Sequence, residues 1–247
     1  MNESYSKGIV YVVVGERDIS VMHASIKLVR KIAPALPVTI YHDVSPALFR
    51  VENMGNVILK QFERITYPIR EENRNSSLWR LVAIEESPYD CTLYLDNDIF
   101  VLHRGFLEGF EIAKHYGTAM VQNPRMFIKT YEKNIGDLDI GVDVQQFDKD
   151  FCADMPSYMT SYNMGVMFHS KFHAASNSFL KDLIQEQTKN PSRGQAGLYR
   201  TIWKTKHTPY CLPINWLVCT KHCGLENPLA LHVGHPNILK WWSREFK

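Results

Sequence analysis

The apolar positions of this chain fall into short β-branched runs, separated by stretches with a helical period. Residues 8–15, Gly-Ile-Val-Tyr-Val-Val-Val-Gly, are apolar without interruption. Such a run predicts a strand buried on both faces, as in a parallel sheet. Residues 20–32 place Val21, Ala24 and Leu28 on one stripe, with Lys27, Arg30 and Lys31 near the end. That is a helix with cations at its negative terminus. Strands are predicted over 37–41 and 56–60. Ser76 or Ser77 is positioned to cap a helix running through Leu78, Leu81 and Ile84 and stopping before Pro88. Residues 91–95, Cys-Thr-Leu-Tyr-Leu, form a further buried strand that runs into Asp96-Asn97-Asp98. Strands follow over 118–122, 162–168 and 229–233, and helices over 172–187 and 195–203. Between them, residues 124–161 are polar and without period. A loop of that length inside a compact domain is usually functional or mobile.

Strand–helix–strand at the start predicts an α/β sheet with ligand chemistry at the carboxyl ends of its strands. No internal repeat or linker interrupts the 247 residues, so a single domain is expected. At 45% hydrophobic and 22% charged, the chain excludes a disordered or low-complexity reading. A net charge of +2 gives no global electrostatic reason to expect nucleic acid or an anionic membrane as partner. The five cysteines are scattered and odd in number, which favours a reducing compartment. Asn2-Glu3-Ser4 and Asn75-Ser76-Ser77 fit the N-glycosylation tripeptide, a pattern that also arises by chance. No apolar run approaches the roughly 18–20 residues that span a bilayer. Residues 1–7 are polar and lead straight into a strand, so a cytoplasmic protein without a signal peptide or transmembrane segment is expected.

Asp96-Asn97-Asp98 is the main chemical signal. Two carboxylates just beyond a buried strand can turn toward one point and hold a hard divalent cation, Mg²⁺ or Mn²⁺, which bridges phosphate oxygens. The plainer reading, two surface carboxylates capping a turn, fits a bare Asp-x-Asp better than one closing an apolar strand. His232 ends the late strand and offers an imidazole, a ligand suited to Mn²⁺. A single histidine among ten is otherwise an ordinary packing residue. Arg80 lies on the helix that feeds the 91–95 strand, and Lys240 lies past His232. Each is a base that can meet diphosphate charge or simply face solvent. Asn163 and Gly165 share a strand, where the glycine allows close approach of a ligand or relieves packing. Cys219 and Cys223 suggest zinc only loosely, because no second cysteine pair accompanies them.

In their order, these segments resemble a known group. The quoted pieces are the first buried strand, the base-bearing helix, Leu93-Tyr-Leu-Asp-Asn-Asp-Ile-Phe-Val101 and Tyr162-Asn-Met-Gly-Val-Met167. Gly194-Gln-Ala-Gly-Leu198 and His232-Val-Gly234 with Lys240-Trp-Trp242 complete the set. From Gly8 to Trp242 the chain resembles the GT-A nucleotide-sugar glycosyltransferases, nearest to glycosyltransferase family 8, the glycogenin- and galactosyltransferase-like group. The resemblance implies a Rossmann-like, mixed and mostly parallel sheet flanked by helices. Residues 8–102 would form the nucleotide-binding half, and 103–247 the acceptor side with the terminal metal and diphosphate motif. It also implies Mn²⁺ (or Mg²⁺) on Asp96, Asp98 and His232, with Arg80, Asn97 and Asn163 near the donor and Lys240 at the diphosphate. Uridine would lie against Val14, Gly15 and Arg17. The family's Asp-Gln pair appears here as Gly194-Gln195, which keeps Gln195 in the reaction centre and loses the carboxylate.

The reaction expected is transfer of a sugar from a nucleoside-diphosphate sugar, of UDP type, to a hydroxyl acceptor such as a glycan, with retention of configuration. A non-catalytic nucleotide- or glycan-binding protein on the same fold is the alternative. A phosphatase using an Asp-x-Asp nucleophile fits less well, because Phe100 stands where that motif carries Thr or Val. If the transfer inverts, a general base is needed, and Asp137, Asp139, Asp143 and Asp154 form the pool.

Overall fold

A computed structural model of the protein describes residues 5–67, 71–127, 159–189, 194–218 and 227–234. Their elements in chain order are β1 (Lys7–Val13), α1 (Ile19–Ile32), β2 (Val38–His42), β3 (Val57–Gln61), α2 (Glu71–Glu85), β4 (Cys91–Leu95), β5 (Ile99–Val101) and α3 (Gly109–Tyr116). β6 (Thr118–Phe127), β7 (Thr160–Ser170), α4 (Ala174–Lys189), α5 (Gly194–Thr205), β8 (Tyr210–Leu212) and β9 (Ala230–His232) follow. The main sheet has seven strands in the order β3-β2-β1-β4-β7-β6-β8. Every neighbouring pair is parallel except the two made by β7. This is the mixed, mostly parallel α/β sheet expected from the sequence.

Both faces of the sheet are covered, which is why β1 and β4 read as unbroken apolar runs. On one face Ile9, Tyr11, Leu93 and Leu95 pack with Met22 and Ile26 of α1 and Phe110 of α3. On the other, Val10, Val12 and Tyr94 pack with Leu81 and Ile84 of α2, Phe179 and Leu183 of α4, and Tyr199 of α5. Among the described residues no helix is long and apolar enough to cross a membrane.

Several expected boundaries move. β1 ends at Val13, and Gly15 turns the chain at φ +72°. α2 begins at Glu71, so Ser76 and Ser77 lie inside the helix and do not cap it. The reason is Asn75, whose side chain is fully buried. Its Oδ1 accepts from the Ile65 amide at 2.8 Å, and its Nδ2 donates to the carbonyls of Ile65 and Glu71. That tie holds the polar first turn against the loop, and it also removes Asn75 from any role as an exposed glycan acceptor. β6 and β7 extend into the segment expected as loop, to Phe127 and from Thr160. The acidic residues Asp137, Asp139, Asp143 and Asp154 lie outside the described residues, as do Cys219, Cys223 and the terminal segment with Lys240.

β5 and β9 form a separate two-stranded antiparallel sheet, with Ile99 opposite His232 and Val101 opposite Ala230. The late strand is legible in the sequence, but its partner is not. Three residues after a polar turn give too short a pattern to read.

Candidate active site

β4 is the central strand of the main sheet, and its last residue, Leu95, hands the chain to Asp96. The Asp96 amide donates to the carbonyl of Gly165 on β7 at 2.8 Å, so the ladder holds the first carboxylate in place. The chain then turns through Asn97, whose Nδ2 donates to the carbonyl of Val12 on β1 at 2.9 Å. Asp98 leads into β5, and its carbonyl accepts from the Val233 amide at 2.8 Å. That bond continues the β5–β9 pairing and brings His232 to Asp98, Nε2 to Oδ1 at 3.2 Å. Asp96, Asp98 and His232 each offer a ligand atom within 4.8 Å of the others. The second sheet therefore brings His232 to two carboxylates carried by the turn between β4 and β5.

The surroundings fit a divalent cation. Two carboxylates and an imidazole are the donor types that Mn²⁺ accepts. Gly234 lies so close that a side chain there would put its Cβ 1.9 Å from Oδ2 of Asp98, so only glycine leaves room for that carboxylate. Arg80, from α2, places Nη1 3.7 Å from Oδ1 of Asp96 and donates to the Met164 carbonyl at 3.3 Å. Burial opposes the Arg80 charge, but the carboxylates of Asp96 and Asp98 outweigh it. Tyr94, buried on β4, donates its hydroxyl to the same Oδ1 at 2.6 Å. Burial, and then the Asp96 charge, holds that hydroxyl far above a tyrosine's ordinary pKa.

These groups border a cleft of about 210 Å³. Arg17, Arg80, Asp96, Asn97, Asp98 and His232, all singled out in the sequence, line it together. Tyr94, Asp18 and Ser76 line it as well and were not foreseen. Tyr94 was within reach of the sequence, because residues two apart on a strand share a face. Asn97 Oδ1 is buried with no hydrogen-bond partner among the described residues.

Val14, Gly15, Asn163 and Gln195, also expected at the site, are not among the residues that line the cleft. Val14 and Gly15 follow β1, and the Gly15 amide donates to the buried Asp43 carboxylate at 2.9 Å. Arg64 is bonded to the other oxygen of Asp43. Asn163 accepts from the Gly165 amide at 2.8 Å, two residues along β7. Gln195, in the first turn of α5, donates to the Tyr162 carbonyl at 3.3 Å.

The sequence matches no protein-family model and no curated protein. Solved structures share its fold. The chain is similar to WbbM, a bifunctional glycosyltransferase, at 15% identity and a TM-score of 0.60, over 94% of this chain and 46% of that one. It thus spans less than half of WbbM. It is similar to the galactosyltransferase LgtC, solved with donor and acceptor sugar analogs, at 13% identity and a TM-score of 0.60, over 93% of this chain and 87% of that one. Mouse xyloside xylosyltransferase 1 gives 12% identity and a TM-score of 0.55, over 94% and 99% of the two chains. The chain therefore has the GT-A fold seen in these glycosyltransferases, with its acidic and imidazole cluster at the carboxyl end of the central strand.

Proposed function

We propose that the protein is a metal-dependent glycosyltransferase that moves a sugar from a nucleoside-diphosphate sugar, of UDP type, to a hydroxyl of a glycan acceptor with retention. The observation that carries this reading is the meeting of Asp96, Asp98 and His232 within 4.8 Å of one another, inside a cleft of a GT-A fold. Those three residues would hold Mn²⁺ or Mg²⁺. Such an ion, when bound, neutralises charge on the departing diphosphate.

The chain's own residues supply the rest. Arg80 brings a fixed positive charge to the same floor, and Arg17 stands more exposed at the cleft. Both can face phosphate oxygens, as charge stabilisation of a leaving group requires. Asn97 Oδ1 is an acceptor suited to a ribose hydroxyl. Val14 and Gly15 would meet the base, and Asn163 and Gln195 the sugar side. Lys240, outside the described residues, would add a cation at the diphosphate. In the transfer the bond from the anomeric carbon to the diphosphate oxygen breaks. The acceptor oxygen bonds to that carbon, and its proton leaves with the diphosphate.

The test is thermal unfolding with UDP, GDP and CDP, each with and without Mn²⁺. Ligand at about 100 times its dissociation constant stabilises by about 2.7 kcal/mol. The expected result is a rise with UDP that requires Mn²⁺, together with slow release of UDP from a UDP-sugar. Absence of a shift with every nucleotide overturns the reading. Binding without any release of diphosphate overturns the enzyme and leaves a binding protein.

A further inference from the structure

We infer that Tyr94 is a positioning residue that reserves one oxygen of Asp96 for the cation, resting on the reading of Asp96, Asp98 and His232 as metal ligands. The two oxygens of Asp96 stand in different company. Oδ1 accepts the Tyr94 hydroxyl at 2.6 Å and lies 3.7 Å from Arg80 Nη1. A cation at Oδ1 would meet the charge of Arg80. Oδ2 faces Gly165, where a side chain would put its Cβ 2.7 Å from that oxygen. Glycine at 165 thus leaves the room in which Oδ2 stands.

The backbone reinforces this choice. Tyr94 and Asp96 are two apart in the chain, and the Asp96 amide is bonded to the Gly165 carbonyl. Tyr94 is buried in the core on the α2 face of the sheet, with Arg80 5.6 Å over its ring. A carboxylate with a free torsion offers either oxygen. One held by a buried phenol has a lone pair of that oxygen engaged and presents the other oxygen in preference. Groups that orient a ligand in this way are typically worth about 10–100-fold in metal affinity.

The experiment is Mn²⁺ titration, read from the loss of the free-ion electron paramagnetic resonance signal, for native protein, Tyr94→Phe and Tyr11→Phe. Tyr11 is the control, a buried strand tyrosine whose hydroxyl pairs with Ser25 on the other face. The expected result is affinity lower by about tenfold or more in Tyr94→Phe and unchanged in Tyr11→Phe. Equal affinity in native protein and Tyr94→Phe overturns the inference while leaving the metal site standing. Equal losses in both variants also overturn it, because the hydroxyl would then be merely structural. Failure of the native protein to bind Mn²⁺ overturns the metal reading itself, and the inference falls with it. The native protein gives a second readout should Tyr94→Phe not fold. Binding should weaken the phenol's hydrogen bond and perturb a tyrosine absorbance, and Mn²⁺ uptake without that perturbation overturns the inference.

Discussion

His232 meets Asp98 through a strand pair rather than through sequence proximity. Its Nε2 lies 3.2 Å from Asp98 Oδ1 because Ile99, the residue after Asp98, stands opposite His232 in the β5–β9 ladder. The two side chains come from distant parts of the chain and share one register. His103, by contrast, caps a short helix, with its Nδ1 accepting from the Gly105 amide at 3.0 Å. His232→Ala is therefore expected to weaken Mn²⁺ binding by about tenfold or more, and His103→Ala to leave it unchanged. Isothermal titration of both variants checks this, and equal effects would remove His232 from the ligand set.

Gly234→Ala tests the same cluster from the other side. Its φ is not in the left-handed region, so alanine is compatible with the backbone. The new Cβ would nevertheless meet Asp98 Oδ2 at 1.9 Å and push the carboxylate aside. The expected outcome is a melting temperature near that of the native protein with Mn²⁺ affinity lower by about tenfold or more.

Asn75→Ala should act on stability alone. It removes two hydrogen bonds between α2 and the preceding loop and one within the first turn of α2, and leaves the Ile65 backbone groups without their partner. The expected cost is about 1–3 kcal/mol in urea denaturation, with Mn²⁺ affinity retained. A cost near zero would mean that water replaces the amide.

His169 predicts how stability depends on pH. It is buried on β7 between Thr118 Oγ1 and Asn177 Oδ1. Burial, more than the charge of Lys171, pushes its pKa down to about 4. Between about pH 4 and the ordinary histidine value of about 6.5, the unfolded chain binds the proton and the folded chain does not. Stability is then full above the upper value and falls as the pH drops through that window, by at most about 1.4 kcal/mol per unit. Urea midpoints at pH 7 and pH 5 measure the slope. His169→Gln should flatten it, and an unchanged slope would assign it to other groups.

The sequence was informative where a pattern is local. The unbroken apolar runs of β1 and β4 gave the parallel centre of the sheet, and the end of β4 located the paired carboxylates. Arg80, Asp96, Asp98 and His232 were each legible as residue types suited to phosphate and metal. Their meeting was implied only by the family resemblance and not by any local pattern, because His232 reaches the carboxylates through β5 and β9, two strands of three residues each that pair across about half of the chain. The start of α2 was hidden for a different reason. Its first turn is polar, and the group that secures it, Asn75, works from inside the helix and not from a cap. Tyr94 passed as core because its ring is core, and only its hydroxyl reaches the site.

The shortness of β9 has a consequence for how the cluster can come apart. Three residues hold it to β5, with Val218 bonded along its other side. Such a segment opens at a fraction of the free energy needed to melt the sheet. An opening confined to β9 would carry the imidazole away and leave both carboxylates on the turn between β4 and β5. Amide hydrogen exchange should then run faster at Leu231 and His232 than at Leu93 and Tyr94, and a bound divalent cation should slow it at the first pair alone.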